Sequence, residues 1–121
     1  MLPHGGTMPA VTQMSHLPQG VKGTRFTLRD DNHQHYHRRV SLGITPLYLR
    51  LYWRASVSAP VHHIGIFRLD LPALLRDGYI RPERALNSTE VRIRLYRADD
   101  GYIYVQTRTD APRLLVGRAP Q

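Results

Sequence analysis

Tyrosine and arginine alternate in two stretches of this chain: Tyr48, Arg50, Tyr52 and Arg54 in one, and Arg92, Arg94 and Tyr96, followed by Tyr104 and Arg108, in the other. Guanidinium groups present a planar fork to phosphate, and tyrosine rings stack on unpaired bases, so such rows suit single-stranded nucleic acid. The competing reading is a solvated strand face whose aromatic pairs stabilise a hairpin without any ligand.

Histidines form the second constellation. His33, His35 and His37 recur at every second residue and His62 and His63 are adjacent, so on extended backbone the first three project to one side and could share a metal. The partners such sites require are out of place. No acidic residue occurs between Asp31 and Asp70, and no histidine follows His63. The expectation is a solvated His-rich loop beside Arg38 and Arg39, with no metal and no cofactor.

Catalytic signatures are equally sparse. Among the carboxylates, Asp70 reads as a helix cap and Asp99 and Asp100 as turn residues, which leaves Asp77, Glu83, Glu90 and Asp110 without a local motif. The chain has no nucleophile elbow, phosphate-binding Gly-Lys loop or dinucleotide glycine fingerprint. Cysteine is absent, which removes a disulfide scaffold, a zinc ribbon and a cysteine nucleophile together. Binding is therefore expected ahead of catalysis.

The elements that would position these residues follow from hydrophobic period. Residues 1–22, with Pro3, Gly5, Gly6, Pro9, Pro18 and Gly20, show no period and read as a flexible N-terminal arm. Phe26 and Leu28 begin a short strand, after which the segment from Asp30 to Arg39 reads as a polar loop. Leu47, Leu49, Leu51 and Trp53 alternate with the first Tyr/Arg row, as in a half-buried strand. The run from Val61 to Leu69 is apolar on both sides and suits a strand covered on both faces. Asp70 can then cap a short helix with Pro72 in its first turn, Leu71, Leu74 and Leu75 inward, and Gly78 closing it.

Val91, Ile93 and Leu95 alternate with the second row, and Ile103, Val105 and Thr107 alternate beyond Asp99-Asp100-Gly101. A two-residue turn would mix the two faces. A three-residue turn with Gly101 left-handed sets Leu95 opposite Val105, Tyr96 opposite Tyr104, Arg94 opposite Gln106, Ile93 opposite Thr107 and Arg92 opposite Arg108. A last short strand is expected over Leu114–Val116. The fold class is then α+β, a small mostly antiparallel sheet or partly open barrel with one short helix, occupying residues 23–118 as a single domain before a tail at 119–121.

The 121 residues suffice for one such core, and 17 Lys plus Arg against 9 Asp plus Glu give a net charge of +8. That balance favours polyanionic partners. No stretch is long and apolar enough for a membrane span and no signal sequence is evident, so a soluble, cytoplasmic protein is expected. Together these features predict a small, basic, non-catalytic nucleic-acid-binding module, DNA or RNA. Its rivals are an interaction or structural protein, forming a homo-oligomer or gripping an acidic protein as small phage or mobile-element proteins do, and a metal-dependent enzyme built on His33, His35, His37, His62 and His63.

Overall fold

The computed structural model describes residues 9–30 and 36–119. Within them the chain forms strands β1 (Val11–Met14), β2 (Thr24–Arg29), β3 (Tyr36–Ser41), β4 (Leu47–Arg54) and β5 (His62–Leu69). A short helix α1 (Leu71–Arg76) follows, then β6 (Glu90–Arg97), β7 (Tyr102–Gln106) and β8 (Leu114–Arg118). The strands make two four-stranded sheets: a front sheet in the order β1-β5-β4-β2 and a back sheet in the order β3-β6-β7-β8. All pairings are antiparallel except β2 with β4. The molecule is therefore mostly β with one short helix, and the two sheets do not close into the barrel that the sequence allowed.

One core joins the sheets. Phe26, Leu28, Leu47, Leu49, Leu51, Phe67 and Leu69 from the front sheet cluster with Val91, Ile93, Leu95, Ile103, Val105 and Val116 from the back sheet. The alternation expected for β4 holds along its whole length, with Leu47, Leu49, Leu51 and Trp53 buried and Tyr48, Arg50, Tyr52 and Arg54 half-buried. Two glycines, Gly65 on its own strand β5 and Gly117 on β8 of the back sheet, make room for the Phe67 ring. The Phe67 ring lies 3.1 Å from where a Cβ of Gly65 would sit and 3.2 Å from that of Gly117, so it fills a notch that any side chain at either position would occupy.

The hairpin register is the one expected from the three-residue turn: Leu95 faces Val105, Tyr96 faces Tyr104 and Arg94 faces Gln106. Gly101 has φ +87° and nothing lies within 4 Å of an added Cβ. Replacing Gly101 by Val therefore meets backbone strain without a clash, and a loss of about 1–2 kcal/mol is expected in thermal unfolding. Helix α1 is capped as the sequence implied. The Asp70 carboxylate accepts from the Ala73 N–H at 3.1 Å, and Gly78 follows with φ +81°. Asp70→Ala should cost about 1 kcal/mol in the same measurement.

Three expectations are corrected. Residues Val11–Met14 of the expected flexible arm are an edge strand, paired from Val11 opposite Leu69 to Met14 opposite Ile66, while residues 1–8 lie outside the described residues. Tyr36–Ser41, most of which was read as loop, pairs with β6 as strand β3. Its alternation is disguised because Arg38 stands opposite the buried Ile93, its guanidinium 5.4 Å from the Phe26 ring centre. An inward-facing charge of this kind is a common device on edge strands. The last strand is longer than the expected Leu114–Val116: β8 runs to Arg118, and the buried Ala119 beyond it donates its N–H to the Gly101 carbonyl.

Candidate nucleic-acid interface

Because the two sheets share a core, the two Tyr/Arg rows occupy the outer faces of different sheets. On the front sheet Arg25 pairs across from Arg50, Tyr48 from Arg68, and Tyr52 from both Thr27 and His63. The outward positions of β2, β4 and β5 thus bring Arg25, Arg50, Arg68, Tyr48, Tyr52 and His63 onto one surface. Strands β1, β2, β4 and β5 contain five arginines and no Asp or Glu.

Several of these side chains are already engaged. The Arg25 guanidinium stacks 3.9 Å from the centre of the Tyr52 ring, and His63 lies 5.0 Å from it at a tilt of 46°. Tyr52 is thereby layered between two cation-capable groups and is not an open platform for a base. Tyr48 has no ring or guanidinium partner among the described residues and is the tyrosine of this face best placed to stack on a ligand. Arg54 is a loop clamp. Its guanidinium donates to the carbonyls of Ser56 and Ala59, both at 2.9 Å, and to that of Val57, fixing the turn between β4 and β5. Arg54, expected to meet phosphate, is thus engaged in holding this turn.

The connection from β1 to β2 carries the chain from one edge of this sheet to the other, and it touches Arg50 on the way. An added Cβ at Gly23, where φ is +73°, would lie 3.3 Å from Arg50 Cγ and 3.1 Å from Leu17 Cδ1. The stem of Arg50 is thus packed under backbone while its head belongs to the outer face.

The back sheet differs in its electrostatics. Arg92 reaches Glu83 at 3.1 Å, Arg108 reaches Asp110 at 3.2 Å, Arg97 reaches Asp30 at 3.4 Å, and Arg94 donates to the Thr107 carbonyl at 3.0 Å. The expected facing of Arg92 and Arg108 is corrected: the β6–β7 ladder ends at Arg94 opposite Gln106, and each arginine has a carboxylate of its own. No repulsion remains there for an anion to relieve.

The back tyrosines are engaged too. Tyr96 and Tyr104 stack with ring centres 5.9 Å apart at 30°, and Arg113 covers Tyr104 at 4.5 Å. Tyr96 donates its hydroxyl to Gln106 Oε1 at 3.2 Å. Tyr104 donates its hydroxyl to Asp100 at 2.6 Å. That bond, with the Tyr102 N–H, holds the Asp100 carboxyl below its ordinary range, and it raises the Tyr104 hydroxyl above its own. A depressed carboxyl contributes stability above its unfolded pKa and loses it as pH falls through the folded value. Tyr104→Phe should therefore bring the Asp100 titration back towards the ordinary carboxylate range, which carboxyl NMR signals followed through acid pH would show.

The charge asymmetry runs through the chain. Residues 1–69 contain eight Lys and Arg against two acids, whereas residues 70–121 contain nine against seven. Arg25 and Arg68 were not singled out from the sequence, where the near-absence of acids before Asp70 is the one signal that could have found them.

For the histidine constellation, His33 and His35 lie outside the described residues. His37 stands in β3 opposite Arg94. His62 and His63 are exposed and lean on aromatic rings, His62 lying 5.9 Å from Trp53. Among the described residues no three His, Cys, Asp or Glu side chains come together as a metal set, and no helix is long and apolar enough to cross a membrane. No known protein family, curated protein or solved structure matches the chain.

Proposed function

We propose that this protein binds nucleic acid without catalysis, gripping the phosphate backbone with the outer face of the front sheet. The observation that carries this reading is the contrast between faces: among the described residues no carboxylate pairs with Arg25, Arg50 or Arg68 of the front strands, whereas Arg39, Arg92 and Arg97 of the back strands each have one. Uncompensated cations attract a polyanion over several ångströms and bind it with release of counterions. Arg25, Arg50 and Arg68 supply the charge, and Tyr48 adds stacking where a base is unpaired. The involvement of Tyr52 is indirect, since it holds Arg25.

Affinity should accordingly depend more on strand charge than on sequence. Fluorescence anisotropy with labelled single-stranded DNA, single-stranded RNA and duplex is expected to show affinities that fall linearly on a logarithmic salt scale, with a slope near 0.7 to 0.9 per phosphate contact. An affinity indifferent to salt would contradict this reading and favour an apolar interface with a protein partner.

A further inference from the structure

We propose that Arg25, Arg50 and Arg68 form a discrete site for a phosphate group, one that binds a single phosphate as well as the backbone of a polymer. The inference rests on the front-face reading for its location but not for the polymer. Three adjacent strands deliver the three side chains. Arg25 on β2 is directly opposite Arg50 on β4; Arg50 is opposite Ile66 and Tyr48 opposite Arg68 on β5, which makes Arg50 and Arg68 diagonal neighbours. Such neighbours are within reach of each other's long side chains.

Among the described residues no carboxylate pairs with any of the three. Of the described acids nearest in sequence, Asp30 accepts from Arg97 and Asp70 caps α1. Two of the arginines also carry a covered donor without an acceptor, Nε of Arg50 and Nη1 of Arg68. A guanidinium N–H withdrawn from water and left without a partner is unfavourable, and it becomes favourable when an anion supplies the missing acceptor. On the back sheet Arg92 and Arg94 find acceptors within the chain, while Nε of Arg97 is covered without one although its Nη1 meets Asp30.

The chemistry of the ligand follows from charge and shape. Three guanidinium groups carried at neighbouring positions of adjacent strands exceed what one planar carboxylate accepts, whereas a tetrahedral phosphate offers acceptors in several directions. Arg25 is exposed, so the site opens on its side, and Tyr48, directly across from Arg68, borders it with a hydroxyl.

The test uses inorganic phosphate against sodium chloride at matched ionic strength, read by melting temperature and by the NMR signals of the arginine Nε–H groups. Phosphate is expected to raise the melting temperature saturably beyond chloride and to shift the Arg50 Nε–H signal. Arg50→Gln and Arg68→Gln should each weaken phosphate binding about tenfold or more, while Arg92→Gln on the back sheet leaves it unchanged. Arg25→Gln, at an exposed position, gives a variant whose fold is not at risk and should weaken binding in the same direction. The absence of a phosphate-specific effect, or its persistence in all three front-face variants, would overturn the site. Phosphate binding without oligonucleotide binding would keep the site and refute the nucleic-acid reading; oligonucleotide binding without a phosphate effect would do the reverse.

Discussion

Truncating Phe67 to Ala is expected to lower stability by about 3–5 kcal/mol, the largest loss of any substitution considered for this fold. Phe67 is fully buried, and its ring spans the gap between the sheets against the glycine pair Gly65 and Gly117. Neither glycine has a side chain with which to fill the space left by the ring, so the cavity would persist. The complementary change is Gly117→Val. Its Cβ would lie 3.0 Å from Ile64 Cγ2 and 3.2 Å from Phe67 Cζ, tighter than side chains in cores accept, so overpacking should cost about 1–3 kcal/mol. Because both substitutions act on one space, the pair should be strongly non-additive, Gly117→Val being tolerated better when Phe67 is already Ala. Denaturant unfolding of the two single variants and the double variant measures this coupling. Additive losses would show that the two positions do not share a cavity.

The second large effect concerns binding. Reversing charge at Arg25 with Glu while neutralising Arg68 with Gln should weaken nucleic-acid binding at low salt by well over tenfold and flatten its salt dependence by about two contacts. Neutralising two arginines of the back sheet, Arg92→Gln with Arg94→Gln, should change binding little, because those guanidinium groups are occupied by Glu83 and the Thr107 carbonyl. Melting curves serve as the control. Arg25 contributes a cation–π contact of about 0.5–1 kcal/mol to the fold, so its loss leaves the protein folded. Equal effects from the two sheets would mean that net charge, not the front face, governs binding.

The pattern of what was legible in the sequence follows from how local each signal is. β4 was plain because eight residues alternate without exception, and the hairpin register was fixed by Gly101, the one residue of its turn that takes a positive φ readily. Strand β1 was hidden by its brevity: four residues between Pro9 and Pro18 are too few to show a period. Strand β3 was hidden by Arg38, a charge at an inward position. The parallel pairing of β2 with β4 depends on the chain passing through β3 in the other sheet between them, and no alternation within either strand records it.

The candidate site was half legible for a related reason. Sequence alternation identified Arg50, Arg92 and Arg94 as outward but neither Arg25 and Arg68 nor the acids of the back sheet, since Arg92 meets a carboxylate nine residues away and Arg97 meets one 67 residues away. Only the fold separates satisfied cations from those left for a ligand. The tyrosines illustrate the same point: Tyr52, Tyr96 and Tyr104 look alike in the sequence, yet each is stacked within the chain, and Tyr48 alone among the four remains available.

The most direct test of the front-face account is to map amide and arginine side-chain NMR shifts of the labelled protein as a short single-stranded oligonucleotide is added at low salt. The account predicts perturbations concentrated in Thr24–Arg29, Leu47–Arg54 and His62–Leu69, strongest at Arg25, Tyr48, Arg50 and Arg68, and reversed by added salt. Perturbations concentrated in Glu90–Arg97 and Tyr102–Gln106, or none at saturating oligonucleotide, would contradict it.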